Sequence, residues 1–204
     1  MANLFIVIEG MDGSGKSEIV KMLHNYLFSK KKYRILTTRE PTSGTYGKRI
    51  REMLRLDEDT YSNKDALLDL FIKDREEHLK NTIIPFLSSK SEELHIVLCD
   101  RYYHSTIAFQ HAQGIPLDEL IKKNSKFLKP DIIFILDIEP ETALKRISGR
   151  KKEKFEQLEF MKRLRNDFKS LKKILNDNIR LIDASKPFDE VFSDVTKYID
   201  ELLE

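Results

Sequence analysis

Between Glu9 and Glu18 the chain reads Glu-Gly-Met-Asp-Gly-Ser-Gly-Lys-Ser-Glu. Its core, Gly10 to Ser17, fits the pattern G-x-x-x-x-G-K-[S/T], whose glycines let backbone N–H groups turn inward around phosphate oxygens. Lys16 is placed to reach the β- and γ-phosphates of a nucleoside triphosphate, and the Ser17 hydroxyl to ligate Mg²⁺. The residues expected around a bound triphosphate are therefore Gly10, Met11, Asp12, Gly13, Ser14, Gly15, Lys16, Ser17 and Glu18. Two of these are acids. An anionic side chain beside a polyphosphate repels it, so Asp12 and Glu18 each need a reason to be there.

A second candidate cluster is Val97–Gln110, where an apolar run ends in Asp100-Arg101. An acid at a strand end beside a phosphate loop is a plausible partner for Mg²⁺ or its water shell, and an adjoining Arg can clamp a phosphate bidentately. Read alone, the same pair is equally an Asp–Arg contact on the surface. A GTPase would need a guanine-reading N-K-x-D; Asn63-Lys64-Asp65-Ala66 has its Asp one place early and Ala where Asp is required. The single Cys99 reads as a small buried hydrophobe. His24, His78, His95, His104 and His111 show no metal-ligand spacing, so no zinc site is expected.

These residues need a scaffold that brings strand ends together. Five short, β-branched runs are expected as strands: Leu4–Ile8, Arg34–Thr38, His95–Cys99, Asp131–Leu136 and Ile179–Asp183. Helical patterns lie between them. Lys16–Ser29 puts Ile19, Val20, Leu23, Tyr26 and Leu27 on one face, Asn63–Leu87 opens on a capping box of Ser62 and Asp65, and Glu156–Asn176 and Asp189–Leu203 follow. Strands alternating with helices predict an α/β fold, a five-stranded parallel sheet with helices on both faces. Ligands bind such sheets at the carboxyl ends of the strands, where every motif above falls.

Composition bounds the rest. The 204 residues suffice for one sizeable core, so a single domain over 1–204 is expected. A net charge of +2 argues against a dedicated nucleic-acid binder. One cysteine permits no internal disulfide, and there is neither a signal-peptide pattern nor an apolar run long enough for a membrane span. The expectation is a cytoplasmic protein with no membrane partner.

Taken in order, "IEGMDGSGKS", "TREP" (Thr38–Pro41), "IREML" (Ile50–Leu54), "LFIKDREEHL" (Leu70–Leu79), "CDRYYHSTIAFQ", "KPDIIFILDIEPETALKR" (Lys129–Arg146) and "IDASKP" (Ile182–Pro187) resemble the thymidylate kinases over nearly the whole chain. The resemblance implies a P-loop NTPase fold with a short mobile lid at about 146–156. It also implies phosphoryl transfer from ATP to dTMP with Mg²⁺, in dTTP synthesis, by a homodimer joined through helix faces. In the family's F-x-x-x-R pattern, here Phe71 and Arg75, the aromatic stacks on thymine and the Arg donates to a base carbonyl. By the same likeness Arg51 and Arg101 hold the dTMP phosphate. Ser105, Thr106 and Gln110 lie at the thymine edge, Phe109 crowds the sugar's 2′ side, and Glu40 stands near the acceptor phosphate and metal. Asp12 faces the acceptor, where it accepts from the deoxyribose 3′-hydroxyl. Arg39 is open to a structural pairing with Asp100 or Glu40.

The region Arg146–Glu156 reads either as a solvated basic run or as lid cations that close on the transferring phosphoryl group. Some relatives carry an Arg inside the phosphate loop; Gly13 stands there in this chain, which shifts that load to the lid and makes Arg150 the candidate catalytic cation beside Lys16 and Arg101. Where lid-dependent relatives show Asp-Arg, this chain has Glu153-Lys154. Ala184 to Pro187, with Lys186, matches the segment on which relatives rest the adenine. Relatives usually carry Thr in place of Glu18, so Glu18 is expected to turn away from the phosphates, toward a lysine or arginine. Two other readings stay open: a kinase for another deoxynucleoside monophosphate or a deoxynucleoside, and a nucleotide-switched binding module with no acceptor.

Overall fold

The computed structural model describes residues 3–56, 63–147 and 158–204. Ser62 of the expected capping box, Arg150, Glu153, Lys154 and most of the expected lid lie outside them.

Five strands form one all-parallel sheet: β1 (Leu4–Gly10), β2 (Tyr33–Arg39), β3 (Leu94–Asp100), β4 (Ile132–Asp137) and β5 (Ile179–Asp183), in the order β2-β3-β1-β4-β5. The three inner strands are buried nearly throughout, and their near-continuous apolar runs follow from helices covering both faces. The edge strands are less covered: β2 has no fully buried residue, and β5 buries only Ile179 and Ile182. Polar ends extend the strands beyond their apolar runs: β1 continues through Glu9 and Gly10, and β3 through Asp100.

Helix α1 (Lys16–Ser29) begins directly at the phosphate-loop lysine and buries Ile19, Val20, Leu23 and Leu27 against the sheet, each worth about 1.5–3 kcal/mol of apolar burial. Helix α2 (Thr45–Leu56) packs on α3 (Lys64–His78) through a small cluster of Ile50, Leu67 and Leu70 that also backs Phe71. The expected single helix over Asn63–Leu87 is interrupted: after α3 comes a π-helical turn at Leu79–Ile83, then α4 (Ile84–Ser88). Pro85 explains the widening. It has no N–H for the helical ladder and its ring crowds the preceding turn, and the Ile84 N–H reaches back to the Leu79 carbonyl. The remaining helices are α5 (Tyr103–Ala112), α6 (Leu117–Asn124), α7 (Pro140–Ile147), α8 (Leu158–Ile174) and α9 (Phe188–Leu203). None of the described helices is long and apolar enough to cross a membrane.

Candidate active site

At the carboxyl edge of the sheet the ends of β1, β2 and β3 open into a cleft of roughly 1450 Å³ that runs between the phosphate loop, α2, α3 and α5. Asp12, Gly13, Gly15, Lys16, Ser17 and Glu18 line one end; Arg51, Phe71, Arg75, Thr106, Phe109 and Gln110 line the other, with Arg101 between.

The loop is held tightly. Gly13 has a φ of 82°, and a Cβ there would stand 2.5 Å from the Ala143 carbonyl oxygen of α7. No side chain fits at this position, so the loop has no room for a cation of its own. Lys16 is buried, and its ammonium donates to the Met11 carbonyl at 2.9 Å. Burial, then the nearby Arg101, bring its pKa down to about 8 against the opposing pull of Asp12, Asp100 and Glu9. A triphosphate drawn into the loop supplies negative charge beside Lys16 and pulls that value back up.

Asp12 turns toward Arg101, whose Nη2 donates to Asp Oδ1, and lies 3.7 Å from the Lys16 ammonium. Burial works against its ionisation, but Arg101 and Lys16 outweigh that and hold its pKa at about 2. It is an anion placed between two phosphate-seeking cations, on the side where the second half of the cleft begins. Glu18 is exposed on the first turn of α1, and its carboxylate has no hydrogen bond or ion pair among the described residues. It faces the cleft without the lysine or arginine partner expected for it.

The Ser17 hydroxyl donates to Asp100 Oδ2 at 2.7 Å, while Asp100 Oδ1 is buried without a hydrogen-bond partner. A hydroxyl and a carboxylate with spare acceptor capacity, next to a phosphate site, fit Mg²⁺, a hard cation that takes a few protein oxygens and fills its shell with water and phosphate. Among the described residues no group of three His, Cys, Asp or Glu side chains gathers that could hold a metal.

At the other end, Arg75 is fully buried. Its Nε and Nη2 donate to Glu40 Oε2 at 2.9 and 2.7 Å, Nη2 also to Thr106 Oγ1 at 2.9 Å, and Nη1 to Asn124 Oδ1 at 2.9 Å. The guanidinium is sandwiched by the Tyr102 and Phe127 rings, 5.1 and 5.4 Å from their centroids. Glu40 Oε1 is 3.0 Å from His78 Nδ1. Both carboxylate oxygens of Glu40 are thus committed to Arg75 and His78. Its expected place beside an acceptor phosphate and metal gives way to that of a brace for Arg75. Arg39 pairs with neither acid. Its strand neighbour Thr37 meets His24 of α1 at 2.9 Å, so Arg39, two residues on, shares the α1 face with its register partner Asp100 and points into the cleft as a cation without a partner among the described residues.

Phe71 keeps one face on the α2–α3 cluster and the other toward the cleft. Thr106 and Gln110 lie one turn apart on α5; Gln110 Nε2 donates to the Lys64 carbonyl at 2.9 Å, which leaves its carboxamide oxygen to accept. Phe109 lies under Arg101, 5.2 Å from guanidinium to ring centre. The Ser105 hydroxyl accepts from Arg101 Nη1 at 2.8 Å and donates to Glu9, so its first task is to hold Arg101. Arg51 donates to the carbonyls of Pro41 and Thr42, the latter pinned in turn by Asp74. The Glu40–Pro41 peptide in this turn is cis.

The donor end departs from expectation. Ala184 is buried and Lys186 is tied to Asp194 at 2.8 Å; neither lines the cleft. Phe188, at the start of α9, does, beside Gly15, together with Arg146, which donates to the carbonyls of Gly13 and Ala184. Residue patterns gave no role to Phe188, His78, Asp74 or Asn124. Asn124 meets Arg75 across 49 residues of chain, a separation that carries no local signal. Asp137 is a structural acid paired with Arg165 and Lys169. Cys99 is fully buried, and burial, with nearby carboxylates, pushes its thiol well above the ordinary range, as expected of an inert side chain.

A family model described as thymidylate kinase matches residues 8–195. A thymidylate kinase of Caldicellulosiruptor saccharolyticus is 39% identical over 212 aligned positions, spanning 100% of this chain and 98% of that protein. A probable thymidylate kinase of Pyrobaculum calidifontis is 36% identical, covering 98% of this chain and 97% of its own. A thymidylate kinase of Desulfotalea psychrophila is 37% identical over 97% and 95%.

Proposed function

The chain belongs to the thymidylate kinase family, and from that we propose that it transfers the γ-phosphoryl group of ATP to dTMP, giving dTDP and ADP, in the cleft described above. The observation that carries the reading is a phosphate loop and an aromatic- and arginine-lined recess joined in one cleft through Asp12 and Arg101.

The chemistry needs positioning and charge neutralisation more than covalent help. Lys16 and the amides at the α1 N-terminus hold the β- and γ-phosphates. Arg101 and Arg51 hold the dTMP phosphate. One of its oxygens, already anionic near neutral pH, attacks the γ-phosphorus in line while the bond to the ADP oxygen breaks. No general base is required, and the two acids nearest the acceptor arginines are not free to take a proton from a sugar hydroxyl, which disfavours the deoxynucleoside kinase reading: Asp12 is held as an anion by Arg101 and Lys16, and Glu40 is committed to Arg75. Ser17 and Asp100 would hold Mg²⁺, which when bound offsets charge on the phosphates. Phe71 stacks on thymine, while Arg75 and Thr106 read its edge with Gln110. Asp12 is placed to accept from the 3′-hydroxyl. Phe188 and Arg146 wall the donor end, and Arg150, with the other lid residues, supplies the cation for which Gly13 leaves no room. We extend the proposal to a cytosolic, single-domain chain that acts as a homodimer without nucleic-acid partners.

The kinetic split of two substitutions tests the map. Phe71→Ala or Arg75→Ala raises the KM for dTMP with a smaller change for ATP, and Lys16→Ala mainly lowers kcat. A binding module without an acceptor would instead lose ATP slowly at a rate indifferent to dTMP and to Phe71.

A further inference from the structure

Glu9 is a fully buried carboxylate at the end of β1 to which the proposed reaction assigns nothing. Its Oε1 accepts from the backbone N–H of Tyr102 at 2.7 Å and of Ser105 at 3.1 Å; its Oε2 accepts from the Ser105 hydroxyl at 2.5 Å. Helix α5 starts at Tyr103 with no capping side chain of its own and no acid in its first turn. Glu9 does that work from a neighbouring strand, satisfying first-turn donors and setting a negative charge at the positive end of the helix.

The same contacts surround Arg101. This residue has a φ of 72°, a conformation non-glycine residues adopt only when neighbours impose it. Its own N–H is fixed to the Ile8 carbonyl at 3.0 Å and the next N–H is fixed to Glu9. The side chain is fixed as well, because the Ser105 hydroxyl that donates to Glu9 accepts from Arg101 Nη1 at 2.8 Å. Behind Glu9, the buried His104 ring stands 4.0 Å away with its Nδ1 lacking a hydrogen-bond partner, and its Nε2 lies 3.1 Å from Asp177 Oδ2. Glu9 therefore sits between a rigid back wall and the arginine at the centre of the cleft.

We propose that Glu9, through the Ser105 hydroxyl and the first turn of α5, is a positioning residue that sets the backbone and guanidinium of Arg101 for the acceptor phosphate. The inference rests on the assignment of Arg101 to the dTMP phosphate. Replacing Glu9 by Gln keeps the shape and one oxygen for the two backbone N–H groups, but it removes the charge and turns the second contact round, so that the Ser105 hydroxyl accepts from a carboxamide instead of donating to a carboxylate. Ser105→Ala cuts the relay at its middle, and Ser105→Thr keeps the hydroxyl.

The test is steady-state kinetics of the full-length protein with ATP and dTMP varied separately, for wild type, Arg101→Ala, Glu9→Gln, Ser105→Ala, Ser105→Thr and the Glu9→Gln/Ser105→Ala pair. Glu9→Gln and Ser105→Ala are expected to raise the KM for dTMP about tenfold, the scale of one charge-assisted hydrogen bond, with the KM for ATP within about twofold. Ser105→Thr is expected near wild type, and the double variant little worse than Glu9→Gln, because both cut one relay. If Glu9→Gln does not fold, the contrast between Ser105→Ala and Ser105→Thr decides alone. Equal losses for both substrates, or an unchanged dTMP KM in Ser105→Ala while Arg101→Ala raises it, overturn the positioning role and leave the function standing. Arg101→Ala without effect on dTMP kinetics overturns the assignment of Arg101, and the proposal with it.

Discussion

Glu40→Gln separates two roles for a residue whose type alone suggested a phosphate or metal neighbour. In the structure its two oxygens hold Arg75 by two charge-assisted contacts, at 2.9 and 2.7 Å, and His78 by a third, at 3.0 Å. Both Glu40 and Arg75 are buried, so the substitution removes the counter-charge of a guanidinium with no access to water. Breaking a buried ion pair in this way costs about 3–5 kcal/mol of stability. Gln keeps one oxygen that still accepts from Arg75, which places the loss toward the lower end of that range. The functional consequence follows from the fixed geometry: Arg75 loses one of the bonds that aim it, and the KM for dTMP rises. The worth of a single charge-assisted hydrogen bond, about 1.5–3 kcal/mol, sets a ceiling of roughly 10- to 150-fold. Urea unfolding gives the first number and dTMP saturation at fixed ATP the second. A Mg²⁺ titration of the rate completes the set, and its midpoint is expected not to move. A shifted Mg²⁺ midpoint with unaltered stability and dTMP KM would refute the brace and return Glu40 to the metal.

Other perturbations probe separate parts of the cleft. Gly47→Ala puts a Cβ 1.9 Å from the Thr42 carbonyl oxygen, so the turn that seats Arg51 must shift; a stability loss of about 1–3 kcal/mol and a raised dTMP KM are expected, read by thermal melting and kinetics. Asp177 is held at a pKa of about 2, since the opposing effect of burial is outweighed by hydrogen bonds from His104 and Tyr103 and by Lys129. Its folded value lies below the unfolded one, so its contribution is present above about pH 4 and is lost as pH falls toward about 2; melting of Asp177→Asn over that interval should show a weaker acid dependence than wild type. Glu18→Thr removes an exposed carboxylate from the phosphate end of the cleft, and because solvent screens that charge it is expected to tighten ATP binding by only a few-fold. Tightening by orders of magnitude in a nucleotide titration would show that it repels ATP.

The strands were legible in the sequence because β1, β3 and β4 are buried on both faces, which makes their apolar runs continuous. Helix α1 was legible from its stripe of Ile19, Val20, Leu23 and Leu27. Helix α5 was not, because almost every residue in it is buried, polar ones included, and a helix covered all round has no periodicity to read. The interruption after His78 was missed because the chain is helical on both sides of the π turn, so the stretch reads as one helix. At the site, the residues contributed by contiguous motifs, Lys16, Ser17, Asp100 and Arg101, came together as the motif order implied. The braces did not announce themselves. Glu40 meets Arg75 across 35 residues of chain and Glu9 meets Ser105 across 96, and a carboxylate in a motif looks the same whether it faces a ligand or holds another side chain.

The central claim is that the acceptor is a thymidine monophosphate, and an acceptor panel addresses it without intermediaries. The full-length protein is given ATP and Mg²⁺ with dTMP, dUMP, other nucleoside monophosphates or thymidine, and ADP formation is followed. The account predicts ADP release that depends on dTMP, with thymidine a poor acceptor. Faster turnover of thymidine than of dTMP, or ATP loss at the same rate with and without any acceptor, would contradict it.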